Sequence, residues 1–303
     1  MQDSDAGPPL GLLEYLDLSA DRSVTARQQL AFRSTLLADR LGYRRVWIPE
    51  HHGTGSPSTN PLPLVAVLGS HTTRIRVGTA VSLVRIRDPY LTAEDLATAG
   101  AFCGERLDVG LGRGAVGGPG TEVWDYLRKD DAATDRAIST IVSVLDAGCE
   151  WIDPLGTAYQ RWMHGAGGRS AALAGSLGFG YCHGLFLNPD EDTCLRTLES
   201  YRAASPTGRT AVAIAMVANP DAATARSDAA RQRGLQVACA GTAERCADTV
   251  QRLLERTGVD EVVLAELSRD GGDHLRALTD VFEQVAMAGP CCEPLVTGRK
   301  VGS

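Results

Sequence analysis

Short apolar runs alternate along the chain with longer stretches in which apolar residues recur at helical spacing. The run from Leu10 to Leu18 predicts a first strand ending at Asp17. Ser23 then caps a helix whose Ala26, Leu30, Leu37 and Leu41 share a face, and Gly42 closes it. Arg45 to Ile48 predicts a second strand that passes without a break into Glu50, His51 and His52. A Gly, Ser and Pro-rich loop from Gly53 to Pro63 precedes a helix over Leu64 to Thr72. Ile75 to Leu83 is a third strand, and Pro89 opens a helix through Phe102.

Leu107 to Leu111 is a fourth strand, followed by Gly112-Arg113-Gly114-Ala115-Val116-Gly117-Gly118. Ile138, Ile141, Val142 and Leu145 stand at i, i+3, i+4 and i+7 of the next helix. A fifth strand falls near Arg161 to His164, and Gly165 to Ser170 turns into a helix ending at Gly178. Tyr181 to Leu187 and Ala211 to Val217 are strands six and seven, with a helix over Thr193 to Ala203 between them. Ala243, Ala247, Val250 and Leu254 mark a helix capped by Thr242 and stopped by Gly258. Val262 to Ala265 is the eighth strand, and His274 to Met287 the final helix. Eight apolar strands, each followed by a helix, predict a parallel sheet closed into a (β/α)8 barrel. With no linker before Gly289, residues 1–288 are expected to form one barrel domain and 289–303 a flexible tail.

Composition narrows the partners. The 303 residues are 44% hydrophobic and 22% charged, enough for a sizeable core. Lys+Arg 30 against Asp+Glu 37 gives a net charge of -7, which speaks against nucleic acid or an anionic membrane. No apolar run is long enough to span a bilayer, and the acidic Met1–Asp5 start is unlike a signal peptide, so a cytoplasmic protein is expected. Eight cysteines form no CxxC pair, and free thiols are the expectation, the adjacent Cys291 and Cys292 included. No HxH or HExxH spacing supports a metal hydrolase.

A barrel of this kind carries its chemistry at the C-terminal ends of the strands. Asp17, His51, the Ala80–Leu83 segment, Arg113 and Gly165–Ser170 all fall there. Adjacent residues on extended chain point in different directions, so His51 and His52 do not share one ligand, and one of them faces the mouth as acid or base. An isolated His-His pair is more often two satisfied loop imidazoles, but the strand-end position beside Glu50 favours function. Gly112, Arg113 and Gly114 can present backbone N–H groups and a countercharge to an anion, although alone they read as a flexible turn. Gly167, Gly168, Arg169 and Ser170 open a helix whose N-terminus favours phosphate, where the plainer reading is an N-cap. Two such loops on neighbouring strands point to a phosphate-bearing ligand. Asp17, His52, Arg85 and Arg87 are the candidates for the substrate side; inward-facing arginines would attract an acidic group, and outward-facing ones would only be solvated.

The stretch Leu41-Gly42-Tyr43-Arg44-Arg45-Val46-Trp47-Ile48-Pro49-Glu50-His51-His52 resembles the strand-two signature of the bacterial luciferase-like, flavin-dependent monooxygenases. Thr73–Ala80, Ala93-Glu94-Asp95, Gly104–Gly114 and Gly241–Val250 resemble that family too, and the likeness runs from Leu10 to Met287 in order. It implies a barrel, usually dimeric, that takes reduced FMN from a separate flavin reductase and uses molecular oxygen to oxygenate a small organic molecule, as in secondary metabolism. It further implies that His51 is the acid/base beside the flavin and that Arg113 binds the flavin phosphate, helped by Ser170 and its loop. Ala80-Val81 matches the place where the family holds a cis peptide against the isoalloxazine ring. The chain departs from the family at Arg85-Ile86-Arg87-Asp88, which reshapes the substrate pocket, in a short lid interval from Val217 to Gly241, and at Gly165–Gly168, which lacks acidic and hydroxyl groups. Two alternatives stay open, a deazaflavin-dependent oxidoreductase and a non-catalytic flavin-binding barrel.

Overall fold

Most strand runs are apolar because most strands bury both faces, one against helices and one inside the barrel. The computed structural model describes residues 7–15, 23–52, 60–114, 127–232 and 234–289. Among these lie β1 (Leu10–Leu13), β2 (Arg45–Ile48), β3 (Arg76–Thr79), β4 (Ser82–Leu83) and β5 (Leu107–Gly112). Further along come β6 (Gln160–Gly165), β7 (Gly180–Gly184), β8 (Thr210–Ala218), β9 (Val237–Gly241) and β10 (Glu261–Glu266). All pairings are parallel, and β10 pairs with both β1 and β8, which closes the sheet. The expected (β/α)8 barrel is what the chain forms. β3 and β4 are two halves of one stave, interrupted at Ala80–Val81, and β9 is an added strand along the C-terminal half of β8.

Nine α-helices surround the strands of the described chain: α1 (Val24–Leu41), α2 (Pro61–His71), α3 (Pro89–Cys103), α4 (Asp131–Ala147), α5 (Gly168–Leu177), α6 (Glu191–Ala204), α7 (Ala222–Arg231), α8 (Ala243–Thr257) and α9 (Gly271–Met287). Ser23, Asp88, Asp130, Asp190 and Asp270 cap their helices through side-chain oxygens, as expected of short polar residues at that position. Thr242 precedes α8 without a capping hydrogen bond from its side chain, unlike the expectation. None of the described helices is long and apolar enough to cross a membrane.

Several boundaries differ from the sequence pattern. β1 stops at Leu13, and Asp17 lies outside the described residues, as do Ala115–Gly118 and the Cys291-Cys292 pair. The sixth expected strand ends at Gly184 instead of Leu187, because the Leu187 N–H turns back to the Gly184 carbonyl at 3.1 Å. α7 and β9 occupy the interval where no element was expected. The Ala-Ala-Thr-Ala-Arg run of α7 has too few large apolar residues to show a stripe, and Val-Ala-Cys-Ala-Gly of β9 leads almost directly into α8 with no turn signal.

Leu10, Leu12, Val46, Ile48 and Val77 face the helices, whereas Leu13, Trp47, Trp162, Ala213 and Val263 pack inside the barrel. Glycine lets the interior close up: a Cβ on Gly180 would lie 2.9 Å from the Trp162 ring, and two further glycines let neighbouring strands approach. A Cβ on Gly110 would lie 1.7 Å from the Thr79 carbonyl oxygen, and one on Gly78 would lie 2.0 Å from that of Asp108. Below the indoles, Arg45 stands with its guanidinium carbon 4.6 Å from the Trp162 ring centre and 5.1 Å from that of Trp47. It pairs with Asp108 at 2.5 Å and with Glu261, while Arg76 donates to the other Asp108 oxygen at 2.7 Å. This charged plug fills the N-terminal end and leaves the opposite end for chemistry.

Candidate active site

Four neighbouring staves, β2, β3–β4, β5 and β6, end in the groups singled out from the sequence. His51 follows β2 and is half-buried, its ring 4.8 Å from that of Tyr15, which follows β1. Phe186, after β7, meets Tyr15 edge-on at 6.4 Å. Burial, reinforced by the neighbouring His52, pulls the His51 pKa down to about 4 against the opposing pull of Glu50. His51 is therefore a neutral imidazole at neutral pH, able to take or give one proton.

The two residues that flank His51 do different work. Glu50 is buried and accepts from the Leu83 N–H at 2.8 Å, from Arg87 Nε at 2.7 and 3.0 Å, and pairs with His52 Nε2 at 2.8 Å. Burial raises its pKa, but His52 and Arg87 outweigh that and hold it below the ordinary carboxylate value. Arg87 Nη2 also reaches Asn60, the cap of α2, at 2.8 Å. His51 and His52 thus part company, as extended chain requires. His52 and Arg87 line a cavity of about 340 Å3 with Glu50, Asn60 and Asp95, beside α2 and α3.

The peptide bond between Ala80 and Val81 is cis, where the resemblance places one. A Cβ on Gly112 would lie 2.7 Å from a Val81 methyl, and one on Gly114 2.3 Å from Leu83, so the loop after β5 lies directly on the second half of the stave. Arg113 makes a two-pronged pair with Asp135, at 2.9 and 2.8 Å. Arg85 and Arg169 both pair with Asp131, the latter at 2.5 Å. Asp131 and Asp135 stand one turn apart on α4, so three guanidinium groups from three separate segments gather on two carboxylates. Arg85 and Arg87 are committed to Asp131 and Glu50 rather than standing alone in the mouth.

The N-terminus of α5 has no side-chain cap, and a Cβ on Gly167 or Gly168 would meet nothing within 4 Å. Its first turn, which carries Arg169 and Ser170, therefore has N–H groups that no side chain caps, an arrangement suited to an anion. Behind the loop, the buried Tyr181 hydroxyl accepts from the Gly167 N–H and lies 3.2 Å from His183 Nδ1. His164, given no role from the sequence, ends β6 with its ring edge-on to Trp47 at 4.5 Å. Burial, then Arg45, lowers its pKa to about 3, and its buried Nε2 has no hydrogen-bond partner among the described residues. Tyr15, Phe186 and His164 were not foreseen. The inward register of Trp162 could have signalled His164 two residues on, but no sequence signal marks Tyr15 or Phe186. Together, a neutral imidazole, a floor of small residues at Ala80 and Gly112, and an open helix N-terminus with surplus arginine fit a flat ring carrying an anionic tail.

Comparison with known proteins bears on one segment of the sequence and on the fold. Residues 19–119 match the family model for luciferase-like monooxygenase. The uncharacterised protein YceB of Bacillus subtilis (strain 168) is 30% identical over 193 residues, 60% of this chain and 58% of that protein, so the chain spans little more than half the length of that relative. Among solved structures, apo-MsnO8 superposes with a TM-score of 0.79 at 24% identity, covering 92% of this chain and 98% of that one. The oxygenating constituent of 3,6-diketocamphane monooxygenase from a Pseudomonas putida plasmid, in complex with FMN, gives 0.72 at 17% identity, covering 93% and 98%. An F420-dependent secondary alcohol dehydrogenase gives 0.70 at 15% identity, covering 92% and 99%. These structural likenesses speak to the fold, and the sequence match speaks to the signature around His51. The matched segment thus resembles the luciferase-like monooxygenases in sequence, and the closed barrel is a fold shared with these solved structures.

Proposed function

We propose that the protein is the oxygenase component of a two-component flavin monooxygenase, receiving reduced FMN from a separate reductase and oxygenating a small organic molecule. The observation that carries this reading is the neutral His51 held beside Tyr15 at the end of the stave next to the Ala80–Val81 bond, with the open α5 N-terminus two staves further on. Reduced FMN, when bound, supplies the activation of molecular oxygen. The chain supplies the rest. Gly167, Gly168, Arg169 and Ser170 would hold the phosphate, with Arg113 as the further countercharge exchanging from Asp135. Ala80, Val81, Gly112 and Gly114 would form the floor on which the ring rests. Tyr15 and Phe186 wall the mouth against water, which oxygen chemistry on a reduced cofactor requires. His51 would hold or move a proton at one ring nitrogen. Glu50 ties the turn after β2 to β4 and Arg87, so the His51 backbone is fixed.

His52 and Arg87, on the 340 Å3 cavity, would face the substrate's approach, and Arg85 would serve it from its place on Asp131. A homodimer working in the cytoplasm, with residues 1–288 as one barrel and 289–303 as a tail, completes the reading. The test is an anaerobic titration with reduced FMN beside reduced deazaflavin, followed by mixing with oxygenated buffer. Preferential binding of reduced FMN and delayed reoxidation support the proposal. Preference for deazaflavin would replace it with hydride transfer, and binding of neither would leave a non-catalytic barrel.

A further inference from the structure

Six cysteines among the described residues carry free thiols, and two of them meet. Cys239 of β9 and Cys246 of α8 have their sulfurs 3.5 Å apart, with the Cys246 thiol donating to Cys239. Cys246 is fully buried, whereas Cys239 is 6% exposed. Burial pushes the thiols of Cys103, Cys182 and Cys194 up. Cys239 goes the other way, because the Cys246 thiol donates to its sulfur and Thr249 and Arg245 stand beside it. A cysteine that favours thiolate, lies against a second thiol and is buried less completely than its partner has the makings of a redox-sensitive site.

We propose that Cys239 and Cys246 form a reversible disulfide when hydrogen peroxide reaches Cys239. The Cys239 thiolate attacks one peroxide oxygen, an S–O bond forms, the O–O bond breaks, and the departing hydroxide becomes water with the proton that the Cys239 thiol gave up on ionising. Cys246 sulfur then attacks Cys239 sulfur. The S–S bond forms, the S–O bond breaks, and the departing hydroxide takes the Cys246 proton as a second water. The two sulfurs lose two electrons in all, which the peroxide gains. The sulfurs must close from 3.5 Å to about 2.05 Å. β9 can supply that movement, since its pairing with β8 already carries a register shift at Ala215/Met216. The site lies behind the wall of the mouth, for the Gln236 N–H just before β9 donates to the Phe186 carbonyl at 2.8 Å. The inference does not depend on the proposed cofactor or reaction.

The experiment treats the whole protein with hydrogen peroxide at a dose that oxidises glutathione in parallel, blocks remaining thiols under denaturing conditions and maps tryptic peptides. Cleavage after Arg245 puts the two cysteines on separate peptides, so their cross-link is unambiguous. Expected is a Cys239–Cys246 peptide pair lighter by two hydrogens and undone by dithiothreitol. In Cys246→Ser, Cys239 should instead be trapped by dimedone as sulfenic acid. Recovery of both cysteines as blocked free thiols after peroxide overturns the proposal, and so does Cys239 cross-linked to a different cysteine. The wild-type measurement decides by itself if the variant fails to fold.

Discussion

Glu14 places its carboxylate 3.2 Å from Nε2 of His274, and the residue that follows it in the chain, Tyr15, lays its ring against His51. One end of β1 is thus held from behind by a charge and presents an aromatic face in front. His274 Nδ1 lies 2.7 Å from Glu266, which also accepts from the Ser268 hydroxyl at 2.6 Å. The cluster joins β1, β10 and α9 at the level of the mouth.

Burial disfavours the His274 cation, yet Glu14 and Glu266 outweigh it and raise the pKa to about 10 from 6.5. A folded value above the unfolded one means that folding takes up a proton between them. The stability contributed is full below about pH 6.5 and is lost as the pH rises through about 10. Urea unfolding from pH 6 to pH 10 should show this decline in the wild type and a much flatter profile in His274→Gln. At the acidic end the variant should be less stable by about 3–5 kcal/mol, since two buried carboxylates lose their cation. Parallel profiles for the two proteins would show that the imidazole is not charged in the fold.

His51→Ala should bind reduced FMN with little change while product formation falls by about 100- to 10,000-fold, the range of a lost acid–base group. With its pKa at about 4, the wild-type rate should be flat through neutrality and lose its His51-dependent part only as the pH falls through that value. Steady-state product assays from pH 3.5 to 8 check both statements. Unaltered product formation in the variant removes His51 from the reaction.

Much of this site could be read from the chain before its shape was known, because strand ends announce themselves. An apolar run such as Val46-Trp47-Ile48 that stops at Glu50-His51-His52 declares both a buried strand and the end that bears chemistry. What each charge does was less legible. Arg85, Arg87 and Arg113 read alike in sequence, yet their partners Asp131, Glu50 and Asp135 come from other elements, at separations of 46, 37 and 22 residues. Long-range pairing of this kind leaves no local pattern. Tyr15 and Phe186 were hidden for a different reason. Both follow strands that end earlier than their apolar runs suggest, so only the turn geometry reveals that they face the mouth.

Arg113→Ala should weaken FMN by about ten- to a hundredfold, the worth of hydrogen bonds to a charged group, and should leave riboflavin, which has no phosphate, nearly unaffected. Fluorescence titration with the two flavins separates these outcomes. Equal losses would place Arg113 in the fold, through its pair with Asp135, and not on the ligand.

At the opposite end of the barrel, Arg45→Ala should destabilise the protein by about 3–5 kcal/mol, because Asp108 and Glu261 stay buried without their shared cation. Burial raises the Glu261 pKa even with Arg45 present, so the variant should recover stability as the pH falls and that carboxyl is protonated. Thermal unfolding at pH 7 and pH 5 measures the recovery, and a loss of equal size at both values would assign the effect to packing against Trp47 and Trp162 alone.

Two glycines separate the demands of fold and ligand. In Gly110→Ala the new methyl would meet the Thr79 carbonyl at 1.7 Å, backbone against backbone, where no side chain can swing aside. A loss of more than about 4 kcal/mol, or no folded protein, is expected. Gly167 has extended backbone with φ -177 and open space around its Cβ position, so Gly167→Ala should cost no more than about 1 kcal/mol. Its methyl would nevertheless stand at the open N-terminus of α5 and should weaken FMN while leaving riboflavin binding intact. Urea midpoints paired with flavin titrations test both sides. An FMN affinity unchanged in Gly167→Ala would move the phosphate away from this helix and leave its missing cap without a ligand to explain it.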